Sequence, residues 1–272
     1  LGCLLLKIGK FMQNKEFIKL SPNHGWLGWW PKKGLKAILD PENARITEFL
    51  MEQSKRLSKN TLLLDAGAGK CPYKYIFKDS IYQSTDMPGG FYDQPHDFEC
   101  ELHNMPKDDN SYDVVILTQV LEHVPDPEAT LAEIFRVLKP NGKLLLSVPL
   151  NGPLHGEPWH YFQFTHYGLD QLAKKTGFKI IEIEKVGGAF WLIGKRLPVA
   201  FNKLLKQYDP FRAKKRNQSI ALAIFMSLLL LPTWFVLYLP SAYIIRPLFY
   251  WLDYLDREKS FTTGYTAVFV KN

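Results

Sequence analysis

Leu62-Leu63-Leu64-Asp65-Ala66-Gly67-Ala68-Gly69-Lys70 decides the fold. Three leucines form a short apolar run, a carboxylate ends it, and two glycines one residue apart bend the chain. A buried strand enters a ligand-facing turn in this way, because glycine accepts positive φ and, lacking Cβ, lets a ligand lie against bare backbone. The turn is expected to lead towards a helix. About twenty residues on, Asp86 ends the next apolar run, where an acid can grip a pair of ribose hydroxyls. The third glycine of a dinucleotide fingerprint is replaced by Cys71, which disfavours a pyrophosphate ligand. With Asp65 present and Lys70 as the one nearby cation, the turn suits a cationic amino-acid moiety better than a phosphate. A βα turn of some other nucleotide-type domain is the plain alternative.

Outward from this turn the chain alternates. Residues 41–57 predict an amphipathic helix, with Ile46, Phe49 and Leu50 at helical spacing. Strands are expected over 61–65, 81–86 and 112–117. A helix follows over 126–138, opened by Asp126-Pro127-Glu128 and stopped at the breaker-rich Lys139-Pro140-Asn141-Gly142. A strand over 143–148, a helix over 167–175 ended by Gly177, and strands over 178–185 and 265–270 complete the pattern. Such alternation implies an α/β fold, a mostly parallel sheet with helices on both faces. Its ligands sit outside the carboxyl ends of the strands.

Composition is consistent with this. The 272 residues are 46% hydrophobic and 22% charged, which excludes a disordered chain, a collagen-like repeat and a small disulfide scaffold. Cys3, Cys71 and Cys100 are scattered without metal spacing and point to a reducing compartment. The net charge of +7 permits contact with nucleic acid or an anionic membrane and chooses neither.

Further blocks follow the glycine turn in a fixed order: Glu101-Leu102-His103-Asn104-Met105-Pro106, Asn110-Ser111-Tyr112-Asp113-Val114-Val115, Gln119-Val120-Leu121-Glu122-His123-Val124, and Arg136-Val137-Leu138-Lys139-Pro140-Asn141-Gly142. Together with Asp65–Gly69 and Asp86, these blocks resemble the class I S-adenosylmethionine-dependent methyltransferases, in the branch that acts on small molecules, over about residues 42–190. The resemblance implies a Rossmann-like seven-stranded sheet whose last strand, drawn from 261–270, runs antiparallel, and S-adenosyl-L-methionine as cofactor. It implies that Asp65, Gly67 and Gly69 hold the methionine half and that Asp86 accepts the ribose hydroxyls. Glu101 stands where the family usually has Asp towards the adenine amino group, with the Leu102 backbone beside the ring. Thr118 and Gln119 flank the sulfonium.

On the acceptor side, methyl transfer needs a positioned nucleophile and, for a hydroxyl, a base. His123 lies just after the fourth strand and reads either as that base or as a structural residue bonding across its loop. The loop after the fifth strand holds His155, Glu157, Trp159, His160, Tyr161, Phe162, Phe164 and His166. This reads as a lid or acceptor pocket with His155 or His160 near the nucleophile, or as aromatic packing of the loop. His155, Glu157 and His160 fit no helix-borne ligand pattern, and no metal is expected.

Residues 217–245 carry no charge, long enough to cross a bilayer but interrupted by Pro232 and Pro240. The final strand must return to the sheet, which favours a hairpin dipping into one leaflet or helices lying at the interface. A buried helical pair or a dimer interface is the alternative. Arg212, Lys214, Lys215, Arg216 and Arg246 flank the segment and suit an anionic cytoplasmic surface. Trp26, Trp29 and Trp30 beside Lys32 and Lys33 fit an interfacial anchor or a cap on the core. Residues 1–11 are too short to span and lack a cleavage site, so no signal peptide is read.

The expected organisation is therefore a Trp-rich cap over 1–40, a methyltransferase domain over 41–190 and 261–272, and a hydrophobic helical insertion over 191–260 with membrane contact through 217–251. The expected function is methylation, with oxygen favoured, of a lipid-linked, quinone-like or glycolipid acceptor at the cytoplasmic membrane face. A non-catalytic, cofactor-binding scaffold is the second reading. Nucleic acid is not an expected partner, because the basic residues cluster at 203–216 beside the apolar insert rather than along a groove.

Overall fold

The computed structural model describes residues 40–90, 92, 94–210 and 219–272. The Trp-rich cap and the basic run 212–216 lie outside the described residues. In chain order the elements are α1 (Pro41–Ser54), β1 (Leu62–Ala66), a 3-10 turn (Lys74–Phe77), β2 (Ile81–Asp86), β3 (Phe98–Glu99), β4 (Tyr112–Thr118), a second 3-10 turn (Leu121–His123), α2 (Pro127–Val137), β5 (Leu138–Pro149), α3 (His166–Thr176) and β6 (Phe178–Val186). Then come α4 (Ala189–Gln207), α5 (Ile220–Thr233), two π-helical turns (Trp234–Tyr238 and Ser241–Ile245), α6 (Arg246–Leu252) and β7 (Gly264–Lys271).

The seven strands form one sheet in the order β3-β2-β1-β4-β5-β7-β6. β7 runs antiparallel to both β5 and β6, and the other neighbours are parallel. The strand order reverses between β1 and β4, and this switch point opens a crevice at the carboxyl edge. Side chains alternate between two cores with the period of a strand. Leu64, Val115, Leu117, Leu144 and Leu146 pack on one face with Leu131 and Ile134 of α2 and Leu169 of α3. Leu63, Val114, Ile116 and Leu145 pack on the other with Ile46, Phe49 and Leu50 of α1. Burial on both faces is why these strands read as continuous apolar runs.

The caps form as their residues dictate. Asp40 and Asp126 accept from the backbone N–H groups of Asn43 and Ala129, each with proline in the first helical turn. Gly177 ends α3 at φ +86°, where a Cβ would meet the Phe135 ring.

Three details differ from the sequence reading. No full helix follows the glycine turn: Cys71 takes φ +51°, Pro72 follows it, and only the 3-10 turn Lys74–Phe77 fits before β2. The breaker run Lys139–Gly142 does not precede a separate strand but bulges within β5, since Leu138 pairs with Tyr112 and Lys143 with Val114. β3, two residues long, was not foreseen; it extends the sheet beyond β2 by pairing Asp86 with Glu99.

Between β6 and β7 the chain makes a helical excursion that is closed at its base. The Asp253 carboxylate is buried and accepts from the N–H groups of Gly188 (3.0 Å) and Trp191 (2.9 Å) at the start of α4, and from Lys259 Nζ at 2.6 Å. A carboxylate on a helix N-terminus is favoured by both the free donors and the dipole. Gly194 lets α4 approach α6, since a Cβ there would come within 3.0 Å of Phe249 Cβ. Pro232 and Pro240 lack N–H donors, and the helical ladder widens to π-turns around them. Phe225, Leu228, Val236, Tyr243 and Ile244 are each more than 60% exposed, an apolar surface far beyond what isolated exposed residues would give. Phe235–Leu252 is long and apolar enough to cross a membrane by length and composition.

Asp253→Ala leaves two buried N–H donors without their acceptor and the half-buried Lys259 ammonium with only the main-chain carbonyl of residue 253. It should lower unfolding free energy by about 2–4 kcal/mol, read by urea unfolding; an unchanged midpoint would show that the clamp at the base of the excursion contributes nothing.

Candidate active site

The crevice is built from the ends of β1, β2 and β4. Asp65 is 1% exposed, and its carboxylate accepts from the Tyr82 hydroxyl at 2.5 Å. Burial pushes its carboxyl up to about 6; the Tyr82 bond opposes that rise, and the negative charge of Asp86 adds to it. The turn then folds back on β2, as Gly67 and Ala68 donate their N–H groups to the Thr85 carbonyl at 2.9 and 3.0 Å. Gly67 (φ +71°) and Gly69 (φ +52°) occupy the left-handed region. A Cβ on Gly67 would come within 2.7 Å of Val120, and one on Gly69 within 3.1 Å of the Tyr92 ring. Cys71 adopts the same left-handed backbone, so the turn is completed without a third glycine.

Asp86 is tied to this turn. Its Oδ2 accepts from the Gly69 N–H and its Oδ1 from the Met87 N–H, both at 2.8 Å. Each oxygen retains a lone pair for a hydroxyl. The next loop is hung on β2 by the Cys100 N–H donating to the Asp86 carbonyl; Glu101 in it is exposed and Leu102 is packed into the core. At the end of β4, Thr118 is half-buried, and Gln119 sits at φ +54°, pinned by its N–H to the Ser147 carbonyl and by its Nε2 to Ser147 Oγ. A non-glycine residue held left-handed is costly, and such residues concentrate at ligand sites.

Across the mouth, the three candidate histidines come together. Ring centroids are 4.7 Å apart for His123 and His155, 4.4 Å for His155 and His160, and 5.4 Å for His123 and His160. Two loops are locked to one another here. The Tyr161 N–H donates to the Glu122 carbonyl at 2.9 Å, and His123 Nδ1 meets the Trp159 carbonyl at 2.7 Å. His155 Nδ1 meets the Pro153 carbonyl at 3.0 Å. A carbonyl only accepts, so both Nδ1 atoms carry protons, and in the neutral rings both Nε2 atoms carry lone pairs. These Nε2 atoms face each other at 3.1 Å. His160 is the opposite tautomer: its Nδ1 accepts from the His155 N–H, which leaves the proton on Nε2. Burial lowers the pKa of His123, and the neighbouring His155 and His160 lower it further, while its bond to Trp159 works the other way.

Sequence reasoning had brought out Asp65, Gly67, Gly69, Asp86, Thr118, Gln119 and the histidines but had missed Tyr82, Val120 and Glu122. Tyr82 lies opposite Leu63 and reaches Asp65 two residues along, which only the β1–β2 register reveals. Glu122 is fully buried, with both carboxylate oxygens lacking a hydrogen-bond partner. Burial pushes its carboxyl up to about 8, opposed weakly by its own main-chain N–H, which falls short of hydrogen-bond geometry. Its signal was a glutamate flanked by Leu121 and His123 in a strand-to-helix loop.

The sheet order, with an antiparallel final strand and an acidic glycine turn at its switch point, defines a class I S-adenosylmethionine-dependent methyltransferase fold. The sequence model of the methyltransferase domain matches residues 41–183, and the chain belongs to that family. It is 35% identical over 97 residues to a probable S-adenosylmethionine-dependent methyltransferase of Mycolicibacterium smegmatis, covering 33% of this chain and 36% of that protein. It is 24% identical over 130 residues to a ubiquinone biosynthesis O-methyltransferase of Coxiella burnetii, covering 44% of this chain and 56% of that one. The chain thus spans about a third to a little over half of these relatives. Among solved structures, the [4+2]-cyclase SpnF has the same fold at a TM-score of 0.51 and 19% identity, over 84% of this chain and 80% of that one.

The family's cofactor is S-adenosyl-L-methionine, and the residues present fit it. Asp86 lies close enough to raise the pKa of Asp65, while Lys70 is drawn over the Tyr92 ring and Lys74 over the Tyr82 ring, each at 5.5 Å. Among the described residues no cationic side chain is bonded to Asp65 or Asp86, as suits a receptor for an ammonium and a sulfonium.

Gly67→Ala places a Cβ against Val120 in a left-handed backbone, so affinity for the demethylated cofactor should fall at least tenfold by calorimetry; adding Val120→Ala should restore part of it. Asp65 has a folded-state pKa raised above its ordinary value of 3.8, so its stabilising contribution is full below that pH and lost as pH rises through about 6. A bound ammonium relieves the resulting unpaired charge, so affinity for the demethylated cofactor should climb between pH 5 and 7. Asp65→Asn should bind weakly and show no such climb.

Proposed function

We propose that this chain transfers a methyl group from S-adenosyl-L-methionine to an oxygen of a small acceptor held at a membrane surface. The observation that carries this reading is the pair of Nε2 lone pairs on His123 and His155, set at the mouth of an acidic glycine crevice. The cofactor, when bound, supplies an electrophilic methyl on a sulfonium. Asp65 and the bare backbone at Gly67 and Gly69 hold the amino-acid end, and Asp86 holds the ribose. Glu101 and the Leu102 backbone border the adenine, and Thr118 and Gln119 flank the reacting centre. In-line displacement then requires the acceptor oxygen to be held about 3–3.5 Å from the methyl carbon. His123 Nε2 takes the hydroxyl proton, and its depressed pKa keeps it neutral and able to do so near pH 7. His155 shares that role or orients the oxygen, and His160 holds the His155 main chain through its Nδ1.

A lipid-linked, quinone-like or glycolipid acceptor is favoured by the exposed apolar side chains between 220 and 251, which the basic residues 212–216 precede in sequence and among which Arg246 lies. Each such cation near an anionic bilayer contributes about 1 kcal/mol. The excursion is read as dipping into or lying on the cytoplasmic face, because β7 must return to the sheet.

With labelled cofactor and a total lipid extract, wild-type protein should label a lipid-soluble product. His123→Asn and His155→Asn should each cut turnover about 100-fold or more while leaving cofactor affinity unchanged. Wild-type rates in both would remove the base assignment. Because a protein of this fold is described as a cyclase, fold alone does not establish transfer. Cofactor binding without any labelled product would leave the scaffold reading instead. The protein should also float with vesicles containing phosphatidylglycerol and be released in part by salt; recovery wholly apart from such vesicles would contradict the membrane assignment.

A further inference from the structure

We propose that Glu122, His123 and His155 form a binding site for a divalent transition-metal cation, with zinc as the reference ion. Their three ligand atoms lie within 4.8 Å of one another among the described residues. His123 Nε2 and His155 Nε2 are 3.1 Å apart, and Glu122 Oε1 is 3.9 Å from His123 Nε2. Zinc–nitrogen bonds of about 2.0–2.1 Å at tetrahedral angles put neighbouring ligand atoms about 3.3 Å apart. The histidine pair already stands at that spacing, and the carboxylate needs only a small closing movement.

The hydrogen bonds identify the occupant as a cation. Both Nδ1 atoms are committed as donors to main-chain carbonyls, those of Trp159 and Pro153. Two neutral rings in this state point lone pair at lone pair across 3.1 Å, an arrangement that repels unless a positive charge lies between them. Metal-ligating histidines are held in this way, with the distal nitrogen donating to a carbonyl so that the proximal one is free to coordinate. Glu122 adds the second, independent sign. It is fully buried, both its oxygens lack a hydrogen-bond partner, and one is directed at the histidine pair. A buried carboxylate without a partner is expensive, and a metal ion is one of the few groups that compensates for it. Two imidazoles and a carboxylate suit zinc and its first-row neighbours rather than calcium or magnesium. His160 stays outside the ligand set because its Nδ1 lone pair is taken by the His155 N–H.

The ligand framework is rigid where it must be. Glu122 and His123 share one 3-10 turn, clamped by the Tyr161 N–H on the Glu122 carbonyl, while His155 is exposed and closes the site from the loop after β5. Three protein ligands leave further coordination positions open, as in catalytic rather than structural metal sites. An acceptor oxygen could take one of them, its proton then being released through the metal rather than to His123 Nε2, whose lone pair the ion would occupy; that role rests on the methyl-transfer reading, whereas the site itself does not.

The test uses the full chain, stripped with a chelator and titrated with Zn²⁺ by calorimetry in the absence of any methyl donor, so that its outcome is separate from cofactor binding. Wild-type protein should bind one equivalent. Glu122→Gln and His155→Asn should each weaken binding at least tenfold, and His103→Ala, at an exposed histidine elsewhere, should not change it. Should Glu122→Gln fail to match the wild-type circular dichroism, His155→Asn, on an exposed loop, carries the comparison alone. In ¹⁵N histidine spectra, Zn²⁺ should shift the Nε2 signals of two histidines while their Nδ1 atoms stay protonated. No binding, equal affinity in the ligand variants, or equal weakening in His103→Ala would overturn the site. A proton shared by His123 and His155 in place of metal, seen as a titration indifferent to Zn²⁺, would overturn it as well.

Discussion

Two carboxylates at the ends of neighbouring parallel strands, separated by a stretch of bare backbone, set the terms for everything else in this molecule. Asp65 is buried and bonded to Tyr82, and Asp86 accepts from the amide of Gly69, so the acidic pair and the glycine turn form one unit. The negative charge of Asp86 adds to the cost of ionising Asp65, and among the described residues no cationic side chain is bonded to either. An acidic site of this kind selects a cationic ligand. The seven-stranded sheet is the frame that makes such an arrangement possible, because a strand buried on both faces holds its end in place while the turn beyond it stays accessible.

Around that unit, left-handed non-glycine backbone and a buried carboxylate without a hydrogen-bond partner occur close together in the chain. Cys71 and Gln119 are left-handed without being glycine, Val120 closes over Gly67, and Glu122 is buried without a hydrogen-bond partner. The opposite face of each strand is ordinary leucine and valine packing. Local cost tolerated at a ligand edge and absorbed by a well-packed core is the usual division in folds of this kind. The excursion between β6 and β7 belongs to neither region. It is clamped at its base by Asp253 and exposes its apolar residues away from the sheet.

The sheet was legible in the sequence because its strands are short apolar runs bounded by turn residues, and the helices α1, α2 and α3 because their apolar spacing and caps agree. The glycine turn and Asp86 were legible for the same reason, since their chemistry is local. What could not be read required the third dimension. A two-residue strand such as β3 has no period to detect, and the bulge at Lys139–Gly142 looks like any turn until the pairing of Leu138 with Tyr112 is known. The tautomers of His123 and His155 depend on the carbonyls of Trp159 and Pro153, and that of His160 on the His155 N–H, which no spacing reveals. Glu122 and His155 are thirty-three positions apart and match no ligand motif.

The central claim is that the turn after β1, together with Asp86, receives S-adenosyl-L-methionine. Amide hydrogen exchange with and without its demethylated product tests this most directly. Binding should slow exchange in the segments 66–71, 86–90 and 118–123 together, with the outer amides of α2 and α3 unchanged. Identical exchange in all three segments at saturating ligand would contradict the account.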